Sequence, residues 1–225
     1  MRSGGFLDVY KEEKRPQFET LFGGISVGKR ILHYSRNQTV FTQGDEAAAV
    51  YYILQGQVRV TVVSFAGKEA TLSVMGPQEF VGMECLSGQC QRLGTASTLE
   101  PSELIRIEKN VMLQALREQP QLFDFFLSRL LNHNLSLQKD LCTQIFDPSE
   151  RRLMRVLLKL SRFGQPCDEC VQLRKISHDT LATMVGTTRS RVTYFMNKFK
   201  KMGVVGYGKG IQFDPSRLSH VLQED

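Results

Sequence analysis

The densest chemistry in the chain lies between Ser177 and Phe199. Arg189, Ser190, Arg191, Thr193 and Tyr194 offer guanidinium, hydroxyl and phenol groups of the kinds that read base edges. Thr188 before them and Lys198, Lys200 and Lys201 after them suit phosphate oxygens. Side chains meant for a groove must project from one face of a rigid element, so a helix is expected here, capped by Thr187-Thr188 and held by Val192, Phe195 and Phe199 on its opposite face. A shorter helix precedes it, with Ser177 as its cap, Leu181 and Val185 turned inward and Ala182 small where the second helix crosses. Gly186 falls where the tight turn needs a positive φ. Ala182, Gly186, Val192 and Phe195 stand at relative positions 5, 9, 15 and 18 of a helix-turn-helix. The segment Val204 to Phe213, broken by Gly206, Gly208 and Gly210, reads as a β-hairpin wing. A helical pair that never meets DNA would pack the same way, and charge separates the two.

Residues 148–225 hold 14 Lys and Arg against 7 Asp and Glu, a balance of +7, while residues 1–147 hold 15 against 16, or −1; together they give the net +6 of the chain. The whole basic excess therefore lies with the helix-turn-helix, as double-stranded DNA requires of a partner. A solvated basic face with no partner would carry the same balance.

Other reactive side chains are scattered. Five cysteines at irregular spacing make no disulfide framework and read as reduced thiols of a cytoplasmic protein. Cys167 and Cys170 have the C-x-x-C spacing of a zinc half-site or redox pair, but no second Cys or His pair is near, and a plain exposed loop fits as well. Cys85, Cys90 and Cys142 read as inert thiols. His33, His133, His178 and His220 show no paired ligand spacing, so no metal site and no cofactor are expected. A β-roll enzyme of the metal-dependent cupin kind needs clustered His and Glu ligands, whereas residues 31–107 contain one histidine. With no nucleophile and base at a recognisable motif, no catalytic residue is assigned and the chain is not read as an enzyme.

The elements that position these groups follow from periodicity. From Ile31 to Ile107, glycines at 44, 56, 67, 76, 82, 88 and 94 punctuate short β-branched runs, the rhythm of an antiparallel β-roll. Val58, Val60 and Val62 alternate with Arg59 and Thr61, which predicts one buried and one wet face. From about Gln121 to Ile145 a single helix without Gly or Pro is expected. Leu127, Leu130, Asn134, Leu137 and Leu141, spaced 3, 4, 3 and 4, form the seam of a two-stranded coiled coil, with Phe123 one step before. A homodimer follows, in which Asn134 fixes register; packing of the same leucines on their own β-roll is the alternative. Asp147-Pro148-Ser149-Glu150 reads as a helix start with Asp147 as N-cap and Pro148 at N1, and as a hinge. The α+β organisation is thus an N-terminal extension (1–25), a β-roll effector-sensing domain (26–118), a dimerisation helix (119–146) and a winged helix-turn-helix (147–225). No membrane span or signal peptide is read from the chain.

In this order of parts the chain resembles the CRP/FNR family of bacterial transcription regulators. The resemblance rests on Gly44-Asp45 with Val50-Tyr51-Tyr52-Ile53-Leu54-Gln55-Gly56, on the Phe80-Val81-Gly82 to Arg92 segment, and on Thr187-Thr188-Arg189-Ser190-Arg191-Val192. It implies a dimer on a palindromic operator, a small effector of unknown identity in a cyclic nucleotide-binding-like β-roll, and contact with RNA polymerase if the protein activates. The family's nucleotide binders hold the cyclic phosphate on backbone amides and an Arg, and the ribose on a Glu. Here the corresponding residues are Gly82, Met83, Glu84 and Cys85, then Arg92 and Leu93, with Ser136 on the long helix. Met83 stands in place of the Glu, and Glu84 is displaced by one residue. Leu93 replaces a phosphate-binding hydroxyl. Cyclic AMP is therefore not expected as a tight ligand, with a pocket retained near Arg92 for another. Intact cyclic-nucleotide control, or redox or metal sensing through cysteines, are the alternatives.

Overall fold

The computed structural model describes residues 22–23, 28–167, 170–173, 176–208 and 210–223, with backbone only for 165–167 and 223. The extension expected over 1–25 lies outside the described residues except for Phe22 and Gly23.

Two four-stranded antiparallel sheets make the β-roll. In chain order the strands are β1 (Lys29–Tyr34), β2 (Thr39–Phe41), β3 (Ala49–Gln55), β4 (Val58–Val63), β5 (Glu69–Met75), β6 (Phe80–Val81), β7 (Thr95–Thr98) and β8 (Ser102–Glu108). The sheet orders are β1-β8-β3-β6 and β2-β7-β4-β5. Strand β3 is apolar from Ala49 to Leu54 because both of its faces are covered there. Ala49, Tyr51 and Ile53, beside Leu104 of β8, meet the second sheet through Phe41, Val58 and Ala96. Val50 and Tyr52 face a helical layer with Phe80, Met112, Leu122 and Phe126. Phe22 closes that layer, its ring 5.1 Å from Tyr52, and burial pushes the Tyr52 phenol up to about 12.

The alternation expected along β4 fails after Val60. The pairing with β5 shifts between Val60 and Thr61, so Thr61 is buried and Val62 only half-buried. An irregularity of one residue moves every later side chain to the other face, which no hydropathy pattern announces.

Helix α1 (Lys109–Glu118) leads into α2 (Pro120–Phe146), 27 residues and about 40 Å long. Helix α3 (Ser149–Ser161) starts after the bend at Asp147-Pro148. The predicted cap is corrected here: Pro148 is the N-cap residue and makes no side-chain cap bond. The Asp147 carboxylate instead pairs with Arg155 at 2.5 Å. A charge-assisted bond to a guanidinium is stronger than a bond to a neutral amide, and it still clasps the hinge.

The plain loop weighed for Cys167 and Cys170 is also corrected. Strands β9 (Gln165–Cys167) and β10 (Cys170–Leu173) pair antiparallel, with Cys170 opposite Cys167 in register. Cys170 is disulfide-bonded, which departs from the reduced thiols expected. Strand β10 joins the wing strands β11 (Val205–Tyr207) and β12 (Ile211–Phe213) in the order β11-β12-β10-β9. Helices α4 (His178–Val185), α5 (Arg189–Lys201) and α6 (Pro215–Gln223) complete the C-terminal unit around Leu153, Leu157, Leu181, Val192, Phe199 and Leu218. Val74 and Leu99 of the β-roll join this cluster, and Thr71 Oγ1 lies 3.0 Å from Thr183 Oγ1. No helix among the described residues is long and apolar enough to cross a membrane.

Candidate functional site

The helix-turn-helix is built by its caps. Ser177 Oγ accepts the Thr180 amide at 3.0 Å, and Thr188 Oγ1 accepts the Arg191 amide at 3.4 Å. Between them Gly186 ends α4 at φ 69°, the left-handed turn that a side chain would strain, and the Thr187 amide donates to Ala182 O at 3.0 Å. Val192, Phe195, Met196 and Phe199 are then buried, so periodicity forces Arg189, Ser190, Arg191 and Tyr194 outward, where all four are exposed. Arg189 meets Asp179 at 3.4 Å, but with side chains 70% and 63% exposed the pair is worth little and yields readily to a competing anion. Lys201 is exposed at the end of the helix, and Lys198 pairs with Glu150 at 2.7 Å.

Thr193 departs from the expected outward set. It is half-buried, and its hydroxyl lies 2.9 Å from His178 Nδ1. The other His178 nitrogen lies 3.4 Å from the Tyr207 hydroxyl, so one imidazole spans the first helix, the recognition helix and the wing. Lys200 Nζ lies 5.8 Å over the Tyr207 ring. His178 and Tyr207 were missed because they are 15 and 29 residues from their partners. Only the aromatic at the wing's edge hinted at a role.

The residues expected at the effector corner do not all stay together. Arg92 and Glu84 come together with Gly82. Arg92 is 3% exposed and donates to Gly82 O at 3.0 Å, Ala49 O at 2.5 Å and Glu84 Oε1 at 3.0 Å, while its guanidinium lies 4.2 Å over the Phe41 ring. Gly82, at φ 78°, leaves no room for another group: a Cβ there would stand 2.5 Å from Arg92 Nη1. Arg92 is therefore engaged by the protein's own carbonyls and carboxylate where the family resemblance expected a ligand. Glu84, one residue out of place for a ribose, is well placed for the guanidinium. Cys85 is fully buried in the helical layer, and burial pushes its thiol up, away from reactivity. Leu93 is 60% exposed. Met83 and Ser136 meet elsewhere, in a cavity shared with α2 and the C-terminal unit.

Along α2 the seam residues Leu127, Leu130, Asn134, Leu137 and Leu141 are all exposed in the single chain. Leu131, Leu135, Ile145 and Phe146, which the heptad spacing did not single out, widen the same apolar surface. Asn134 Oδ1 accepts Gln138 Nε2 at 2.8 Å. An exposed apolar surface of this length marks an interaction face.

Comparison with known proteins agrees with this geometry. Residues 31–119 match the cyclic nucleotide-binding domain family and residues 151–221 the Crp-like helix-turn-helix domain family. The chain is 31% identical over 180 residues to the global nitrogen regulator of Nostoc sp., covering 78% of this chain and 81% of that protein. It is 32% identical over 180 residues to the cyclic AMP receptor protein of Thermus thermophilus, covering 79% and 80%. Among solved structures, a CRP/FNR-family transcriptional regulator of Thermus thermophilus superposes with a TM-score of 0.72 at 25% identity, over 87% of this chain and 99% of that one. The global regulator CLP of Xanthomonas campestris shares the fold, with a TM-score of 0.75 at 23% identity, over 86% and 98%. A β-roll, a long exposed helix and a winged helix-turn-helix, with relatives of this kind along most of its length, place the chain in the CRP/FNR family of DNA-binding transcription regulators.

Proposed function

We infer that the protein acts as a homodimer that sets α5 into successive major grooves of a palindromic operator. Thr188, Arg189, Ser190, Arg191, Tyr194 and Lys201 make the contacts, while Thr193 and Lys198 hold the helix in place. The observation that carries this reading is the outward row Arg189, Ser190, Arg191 and Tyr194 over a fully buried opposite face. Leu127, Leu130, Asn134, Leu137 and Leu141 meet their symmetry mates, which puts the boundaries of the three functional parts near residues 26, 119 and 147. The reading is of a regulator and not of an enzyme, working in the cytoplasm and touching RNA polymerase where it activates.

The corner at Arg92 favours a regulator that does not answer to cyclic AMP. Binding there would require the guanidinium to abandon two backbone carbonyls and Glu84, and each buried group left unpaired costs about 1–3 kcal/mol. Selection from random duplexes tests the main reading. An enriched inverted repeat is expected, and a pool without enrichment rejects operator recognition. Calorimetric titration with cyclic AMP tests the second, and micromolar binding lost in Arg92→Ala would reverse it.

A further inference from the structure

His178 opens α4, and the Ser177 cap holds the backbone on which its ring stands: Ser177 Oγ accepts the Thr180 amide and Ser177 O the Leu181 amide, both at 3.0 Å. The half-buried imidazole meets two elements that come later in the chain. Nδ1 lies 2.9 Å from Thr193 Oγ1 in the middle of α5, and Nε2 lies 3.4 Å from the Tyr207 hydroxyl at the end of β11. Thr193 follows Arg189 by about one helical turn, so the two share a side of α5. Both meet the first turn of α4, Thr193 at His178 and Arg189 at Asp179.

Alternation along β11 sends Tyr207 toward the helices: Val205, two residues earlier and on the same side of the strand, is buried in the core of the C-terminal unit. Burial pushes the Tyr207 phenol up, so it stays protonated at neutral pH. A neutral imidazole offers one donor and one acceptor, and both hydroxyls can take either part, so the row Thr193, His178, Tyr207 is satisfied in either tautomer. The wing is an element that gains from such a tie. Its strands are three residues each, and glycines at 206, 208 and 210 give its backbone more freedom to lose. Lys200, 5.8 Å over the Tyr207 ring, adds a second contact from the end of α5.

We infer that His178 is a positioning residue which, through Thr193 and Tyr207, sets the wing against the recognition helix so that both meet one DNA half-site as a single surface. This rests on the proposed reading of α5 as the helix that enters the groove. The consequence falls on sequence discrimination. Base edges are read only by side chains held within hydrogen-bond reach, whereas the attraction of lysines and arginines to phosphates tolerates a looser surface. A surface ordered before binding also loses less freedom on binding. His178 therefore governs how well Arg189, Ser190 and Tyr194 read bases, without touching a base itself.

Binding of the full chain to the inverted repeat that the wild type enriches from random duplexes, and to a scrambled version of it, tests this role across a range of salt. His178→Leu should lower affinity for the repeat about tenfold, the worth of the two bonds together, while affinity for the scrambled duplex and the salt dependence stay unchanged. His178→Asn, whose amide takes the place of Nδ1, should keep the Thr193 bond and recover part of the loss. Thr193→Val and Tyr207→Phe should have non-additive effects in the wild type, and Tyr207→Phe should cost nothing further once His178→Leu is present. In carbon NMR of the chain without DNA, Thr193→Val should shift the ring signals of both His178 and Tyr207. Unchanged discrimination in His178→Leu overturns the proposal, as does a Tyr207 ring that ignores Thr193→Val. Equal weakening of both duplexes with a shallower salt slope also overturns it, because His178 would then be a phosphate contact. Failure of the wild type to enrich any duplex rejects operator recognition itself, a result distinct from each of these.

Discussion

Arg92 and Arg189 are the same side chain in opposite circumstances. Arg92 sits between two sheets, 3% exposed, with two carbonyls, a carboxylate and an aromatic face around it. Arg189 stands on the first turn of α5 in solvent, with one loose partner. Both belong to segments whose residue types suit anionic oxygens. Where the fold has already engaged both terminal nitrogens of the guanidinium, a ligand must displace internal bonds and gains little. Where the fold leaves it in water, a phosphate or a guanine edge displaces only solvent and a weak surface pair. The β-roll arginine is engaged within the fold, and the recognition helix presents its own to solvent.

Substitutions can break or sharpen this contrast. The largest effect belongs to the surface that joins two recognition helices. Leu130→Asp would set two carboxylates against each other at the proposed seam, and sedimentation should show monomers. Operator affinity should then fall about 10²–10⁴-fold, the avidity lost when two half-sites are no longer linked. A variant that stays dimeric and binds normally would move the interface elsewhere on α2.

Next comes Arg92→Ala, which leaves Gly82 O, Ala49 O and Glu84 without their donor. Removing one partner of a buried pair costs about 3–5 kcal/mol; with Glu84 partly in solvent, about 2–4 kcal/mol is expected in urea unfolding. A neutral result would show that the corner is not structural. Arg189→Ala should behave in the reverse way. Stability should hold, while specific binding should lose about 1–3 kcal/mol and sequence preference should relax at one base of each half-site, as read by competition gel shift.

The smallest effect is that of His133. Its pKa is lower in the folded chain than in the unfolded one, so the unfolded state binds more protons between the two values. The stability it contributes is present above pH 6.5 and declines as pH falls below that toward the folded value. His133→Gln should flatten this part of a stability profile, and an unchanged slope would contradict the buried neutral ring.

Much of this was legible in the sequence, because it depends on neighbours along the chain. The caps Ser177 and Thr188, the turn at Gly186, the buried face of α5 and the exposed leucines of α2 follow from spacing, since a helix brings together residues three and four apart. The charge imbalance between the two parts needed only counting. Other features depend on residues brought together from distant segments. The register shift at Thr61 and the placing of His178 between Thr193 and Tyr207 were decided by tertiary packing. So was the fate of the effector residues. The sequence shows Glu84 one place away from where a ribose would meet it, but not that Ala49 O, Phe41 and Gly82 converge on Arg92 and close the corner. Nor does it show that Arg129 and Lys159, thirty residues apart, line one cavity. Local order sets which elements form and which faces they carry; whether a polar group meets a ligand or another part of the chain depends on long-range contacts that no periodicity encodes.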